Sequence, residues 1–141
     1  MRTLRTLTRF GLAAVAVLTA SLAAAGPAEA STAWGAASVC GSGYWPLDQH
    51  SLGISTVYLA YNGSTDCVVN WLDTAHEGQR TFLGADVETA ALRQDDYDFY
   101  YHYAGPVRLN APGQCIYWGG MVGTDANHLS GNWQSGASHC N

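Results

Sequence analysis

Four cysteines, Cys40, Cys67, Cys115 and Cys140, constrain this chain more than any other feature of its sequence. An even number of cysteines in a short exported chain reads as a set of disulfides. Four cysteines allow three pairings. The expected one is Cys40–Cys67 with Cys115–Cys140, because it ties each end of the chain to a neighbouring strand. In the chain-entropy account each closure of this size stabilises by roughly 3–4 kcal/mol, against about 5–15 kcal/mol for a whole domain. The same cysteines do not suit zinc, since a structural zinc site needs pairs at C-x₂₋₄-C spacing and the sequence has none. No metal and no cofactor are expected.

Export is read from the N-terminus. Arg2, Arg5 and Arg9 precede an uncharged apolar run over residues 11–25, and Ala28-Glu29-Ala30 matches a small-x-small cleavage site. Together these predict a secretory signal peptide over residues 1–30, with an apolar run too short for a comfortable membrane span. There is no twin-arginine pair, and no cysteine directly follows the apolar run as a lipoprotein would require. No later stretch is apolar enough to span a bilayer, so release from the membrane is expected. Cleavage leaves one domain, residues 31–141. It carries a formal charge of −7, three arginines against ten carboxylates, with no lysine. That balance disfavours nucleic acid and anionic membrane surfaces, which bind through basic charge.

The mature chain reads as short strands separated by turn chemistry. Residues 31–39 are small and polar apart from Trp34 and predict a loose N-terminal arm. Residues 54–61 give the strongest strand, with Val57, Leu59 and Tyr61 on one face. Asn62-Gly63 is a favourable tight turn, and residues 66–72 return as the second arm of a hairpin. Residues 74–79 read as a polar loop, residues 80–89 as a strand, and residues 95–103 as a further, tyrosine-rich strand. Val107 and Leu109 alternate with Arg108 and Asn110, Pro112-Gly113 suits a type II turn, and residues 115–118 read as the return strand of a second hairpin. Residues 123–136 read as a Gly- and Asn-rich loop carrying His128 and Trp133. The expected fold is all-β, a small disulfide-bonded antiparallel sandwich or barrel.

Little of this points to chemistry. Asp95, Asp96 and Asp98 lack the spacing of a calcium loop and read as a solvated edge that discourages strand pairing. His50, His76, His102, His128 and His139 are scattered, with no His-x-His or H-x-x-x-H pair. No G-x-S-x-G elbow occurs, so no catalytic residue is assigned and the chain is read as a non-enzyme. The stronger signal is aromatic, five Trp and eight Tyr in a chain of low charge. Exposed aromatic rings offer large contact area at low entropic cost. Trp34, Trp45 and Trp133 fall in expected loops and are the candidates for a binding patch, with the rival reading that aromatics fill a small core.

The segments Cys40-Gly41-Ser42-Gly43-Tyr44, Thr56-Val57-Tyr58-Leu59-Ala60-Tyr61-Asn62, Tyr103-Ala104-Gly105-Pro106-Val107 and Cys115-Ile116-Tyr117-Trp118-Gly119-Gly120, with a terminal His139-Cys140, resemble the spore-associated protein A group of secreted actinobacterial proteins. The resemblance covers most of residues 31–141 and is weakest over residues 74–93. It implies a small exported protein of the spore or cell exterior and carries over no catalytic residue. The expected function is therefore a secreted, spore- or cell-surface-associated, non-enzymatic protein that binds wall polymers or protein partners through surface aromatics. Two alternatives stand beside it. One is a secreted protease inhibitor using residues 73–79 or 123–136 as its rigid loop. The other is a small secreted hydrolase whose triad assembles in space rather than in sequence.

Overall fold

A computed structural model describes residues 28–140, with side chains from Thr32 onward. Most of the expected signal peptide, residues 1–30, lies outside the described residues. Helix α1 (Ala28–Cys40) leads into strands β1 (Trp45–Ser51), β2 (Ser55–Tyr61), β3 (Thr65–Leu72), β4 (Thr81–Glu88), β5 (Arg93–Tyr100), β6 (Tyr103–Asn110), β7 (Tyr117–Asp125) and β8 (His128–Gln134). The strands form two antiparallel sheets, ordered β1-β2-β3-β6 and β5-β4-β7-β8. They stack as a sandwich, not a closed barrel. Among the described residues no helix is long and apolar enough to cross a membrane.

Period-2 alternation sets the core. Val57, Leu59 and Val68 from the first sheet meet Leu83, Ala85, Val87, Trp118 and Val122 from the second. Asn70 is fully buried in the same layer. Its Nδ2 donates to Gly84 O and Met121 O, both at 2.9 Å, so a β3 side chain ties the first sheet to β4 and β7 of the second. Along one side β5 lies against β6. Along the other, His50 of β1 stacks on Trp133 of β8 with ring centroids 3.9 Å apart.

The structure corrects several sequence expectations. Residues 31–39 are helix, not a loose arm. Ala33, Ala36, Ala37 and Cys40 recur at helical spacing and seat α1 closely on the outer face of the first sheet, over Tyr58, Ala60, Cys67 and Val69. The Cys40–Cys67 disulfide fastens that contact. Arg108 holds its end, donating from Nε to Cys40 O at 2.9 Å and from Nη2 to Val39 O at 3.3 Å, where a cation suits the last carbonyls of a helix. The second expected hairpin does not form. Strand β6 pairs with β3 in the first sheet, whereas β7 pairs with β4 and β8 in the second. Pro112-Gly113 therefore turns the chain from one sheet to the other. Alternation shows that Leu109 and Ile116 face a core, but both sheets share that core, so alternation does not choose the partner strand.

Two further boundaries move. The expected strand over residues 95–103 breaks at Tyr101-His102, where the chain leaves β5 and enters β6 in the other sheet. The expected loop over residues 123–136 contains β8. Gly123 permits its approach, since a Cβ there would sit 2.3 Å from His128 O. The acidic edge is only partly solvated. Asp96 accepts Tyr100 Oη at 2.5 Å and Gly105 N at 2.7 Å, and so braces the crossing between sheets.

Asp66 makes the fold sensitive to pH. It is 2% exposed on β3, and its Oδ1 has no hydrogen-bond partner. Burial pushes its carboxyl up to about 6, against a weaker opposing pull from His139. A carboxyl raised on folding stabilises the protonated protein, and that contribution is lost as pH rises from near 4 through about 6. Asp66→Asn should therefore unfold at higher urea than the parent at pH 7, by an amount of order 2 kcal/mol. It should show little difference at pH 4. Urea titrations of both proteins across this range test the sign and the window.

Candidate functional site

The loops at one end of the sandwich line an open cleft of about 670 Å³. Two of its walls are built alike. Asp73 closes the turn after β3, where its Oδ1 accepts Ala75 N and His76 N, each at 3.0 Å. Asp125 closes the β7–β8 turn, where its Oδ1 accepts Asn127 N at 2.8 Å. An Asp that caps a turn through its own following amides is a local, sequence-encoded device. Each turn then presents a histidine three residues on. His76 Nδ1 lies 2.6 Å from Asp73 Oδ1, and His128 Nδ1 lies 2.9 Å from both oxygens of Asp125. Both histidines line the cleft, and each carboxylate engages its ring at Nδ1, which leaves Nε2 as the nitrogen not held by it. The His76 hydrogen bond holds the Asp73 carboxyl below the usual carboxylate range. The Asn127 amide, with His128 behind it, does the same for Asp125.

The sequence holds this motif twice, as Asp73-Thr74-Ala75-His76 and Asp125-Ala126-Asn127-His128. A search for paired histidines misses it, because the pairing is Asp with His within a turn and His with His only across the cleft. The remaining walls are polar and apolar by turns. Arg80, Gln79, Asn127 and Ser130 face Ile54 and Leu129. Arg80 lies with its Cζ 3.8 Å from the centroid of the Phe99 ring. The cleft is lined by histidine and hydroxyl side chains, with Asp73 and Asp125 bound to the rings from beside it, and among the described residues no hydroxyl lies on a ring nitrogen. Ser130 Oγ donates instead to Val122 O at 3.3 Å. Among the described residues no group of three or more His, Cys, Asp or Glu could hold a metal ion. Both segments considered as inhibitor loops meet here. Residues 73–79 form a braced turn and residues 123–136 are mostly strand, and together they wall a concavity.

A second cleft of about 450 Å³ lies between α1 and the outer face of the first sheet, on the other side of the residue 73–79 turn. Tyr58 and Trp71 line it with Asp73 and Glu77. Trp71 Nε1 donates to Glu77 Oε1 at 2.7 Å, so that indole is held rather than open. The outer face of the second sheet carries a charge cluster. Arg93 lies 3.7 Å from Asp86, 3.5 Å from Glu88 and 3.6 Å from Asp95, and it also donates to the Tyr97 hydroxyl. Tyr97 lies flat over Gly84, where a Cβ would come within 2.0 Å of its ring. Burial raises the Asp86 carboxyl, with Gln134 and Arg93 opposing, and pushes the Tyr97 hydroxyl up to about 12. With its cation already surrounded by carboxylates, this cluster serves to neutralise a buried acid.

The three candidate tryptophans do not share a face. Trp34 is 60% exposed on α1. Trp45 is 41% exposed at the start of β1 and packs edge-on to Tyr61. Strand register pairs Trp45 with Tyr61, on the sheet face opposite α1. Trp133 is half-buried in β8, edge-on to the core residue Trp118 and stacked on His50. The four cysteines form Cys40–Cys67 and Cys115–Cys140, and no cysteine is free.

No family model matches this chain, and no solved structure matches it. A known protein from Streptomyces coelicolor, named spore-associated protein A, is 40% identical over 121 residues, which cover 79% of this chain and 77% of that protein.

The placement of the tryptophans separates their roles in stability. Trp133→Ala removes packing from Trp118 and His50 and should cost about 2–4 kcal/mol. Trp34→Ala should stay within about 0.5 kcal/mol of the parent. Urea unfolding of the two variants tests the contrast.

Proposed function

The chain belongs to the spore-associated protein A family, and from that premise we propose that it is an exported, non-enzymatic protein held at the spore or cell surface, where it binds a wall polymer or a protein partner. The observation that carries this reading is the likeness to spore-associated protein A over most of both chains. Two disulfides support it, since such bonds persist in oxidising surroundings outside the cell. The signal-peptide pattern and acidic, lysine-free composition of residues 31–141 agree with release in soluble form. Trp34 and Trp45 are the exposed tryptophans that would make stacking contacts, each acting alone rather than in one patch.

A small hydrolase is the second reading. Its support is the Asp125–His128 pair in a cleft that also holds Ser130.

The test is co-sedimentation of the purified protein with washed spores and with wall material over a range of salt. The expected result is a saturable bound fraction that falls several-fold in the Trp34→Ala and Trp45→Ala double variant. Complete recovery in the supernatant at every salt overturns the surface-binding reading. Turnover of ester or phosphodiester substrates that disappears in His128→Ala would replace it with the hydrolase.

A further inference from the structure

We propose that the cleft between the two Asp-His turns is a binding site for a phosphate-bearing polyol, with Arg80 taking the phosphate and the surrounding amides and hydroxyls taking the alcohol groups. The argument starts from charge. The chain has eleven acidic residues and six basic ones, yet no carboxylate lines this cleft. Asp73 and Asp125 are partly exposed beside it, each held at a ring Nδ1. The lining instead includes Arg80, His76, His128, Gln79, Asn127 and Thr124. Gln79 Nε2 and Thr124 Oγ1 already donate to Ala75 O and His128 O, so Arg80 and Asn127 bring the side-chain donors and the Gln79 and Thr124 oxygens bring acceptors. In a protein of net negative charge, a concavity that includes an arginine without an ion pair and no carboxylate in its lining fits a ligand that brings acceptors and negative charge.

Arg80 also differs from the other described arginines. Arg93 is surrounded by three carboxylates, and Arg108 donates to the last carbonyls of α1. Arg80 makes no ion pair among the described residues, and its guanidinium lies against Phe99. A stacked guanidinium keeps its edge N–H groups for a planar or tetrahedral oxyanion, the geometry in which arginine binds phosphate best. A histidine whose Nδ1 is held by a carboxylate keeps its Nε2 in a fixed direction. Two such residues, on separate turns, line the one cleft. At about 670 Å³ the cleft exceeds what a bare phosphate fills and lies within the range of small-molecule sites. The amides and hydroxyls then suit the hydroxyls of the attached polyol. This reading goes beyond surface association, and the two fail separately, because ligand binding is measured on the isolated protein without spores or wall.

The experiment is an NMR titration of the ¹⁵N-labelled protein, and of its variants, with glycerol 3-phosphate, inorganic phosphate and glycerol. The expected result is saturable shifts from glycerol 3-phosphate confined to residues 73–81 and 124–130, with weaker binding of inorganic phosphate and none of glycerol. Arg80→Gln should weaken binding about tenfold, and His128→Gln several-fold. Arg108→Gln changes the net charge by the same amount at a distant site and should leave binding unchanged. Absence of saturable shifts, shifts spread over the surface, or equal weakening by Arg80→Gln and Arg108→Gln overturns the site. Equal affinity for inorganic phosphate overturns the polyol part of it. The amide spectrum of each variant reports directly whether it is folded, so a loss of binding is separated from a loss of structure.

Discussion

Everything else in the structure hangs on the burial of two alternating strand faces against each other. Val57, Leu59 and Val68 on one side, with Leu83, Ala85, Val87, Trp118 and Val122 on the other, leave water together. Hydrophobic burial of this kind is non-directional, so by itself it holds the sheets together without fixing how they sit. Asn70 supplies direction. Its side-chain amide spans the core to the carbonyls of Gly84 and Met121, and leaving either acceptor unsatisfied in a dry interior would be costly. The disulfides act farther out. Cys40–Cys67 fastens α1 to the first sheet, and Cys115–Cys140 ties the tail to the segment just before β7.

A core sealed in this way leaves the sandwich ends to carry specialised loops. At one end the turns after β3 and between β7 and β8 use the same Asp-capped geometry and so present their histidines from rigid supports. That rigidity comes from backbone hydrogen bonds within each turn, while the distance between the turns is set by the sheets beneath them. The two outer faces are treated differently. A helix of small side chains covers the first, whereas the second stays open and neutralises its one buried carboxylate, Asp86, with Arg93. Exposed aromatic surface is spread over separate places rather than gathered on one face.

Local order determined much of this in advance. Alternation along residues 54–61 and 66–72, with Asn62-Gly63 between, specifies the β2–β3 hairpin, because the side-chain period and the turn residues both act within a few residues. The even cysteine count and the positions of the four cysteines were enough to expect the two bridges that form. The helix at residues 28–40 was not legible in this way: residues 31–39 read as a loose arm, because small side chains carry almost no amphipathic signal and the spacing of Ala33, Ala36, Ala37 and Cys40 has meaning only against a surface that accepts it.

Tertiary structure decided what alternation cannot. The segments on either side of Pro112-Gly113 have the pattern of a hairpin, yet they belong to different sheets, because a residue facing the core satisfies its burial from either side and its partner strand is set by chain topology. The same holds for β8, whose glycine-rich sequence reads as loop until Gly123 admits its backbone beside β7. The candidate cleft follows this division. Each Asp-x-x-His turn is determined by its own four residues, through hydrogen bonds that reach no farther than the turn. That the two turns, and Arg80 with them, face one another across a single cavity was settled only when the sheets packed and brought together positions about 50 residues apart in the chain.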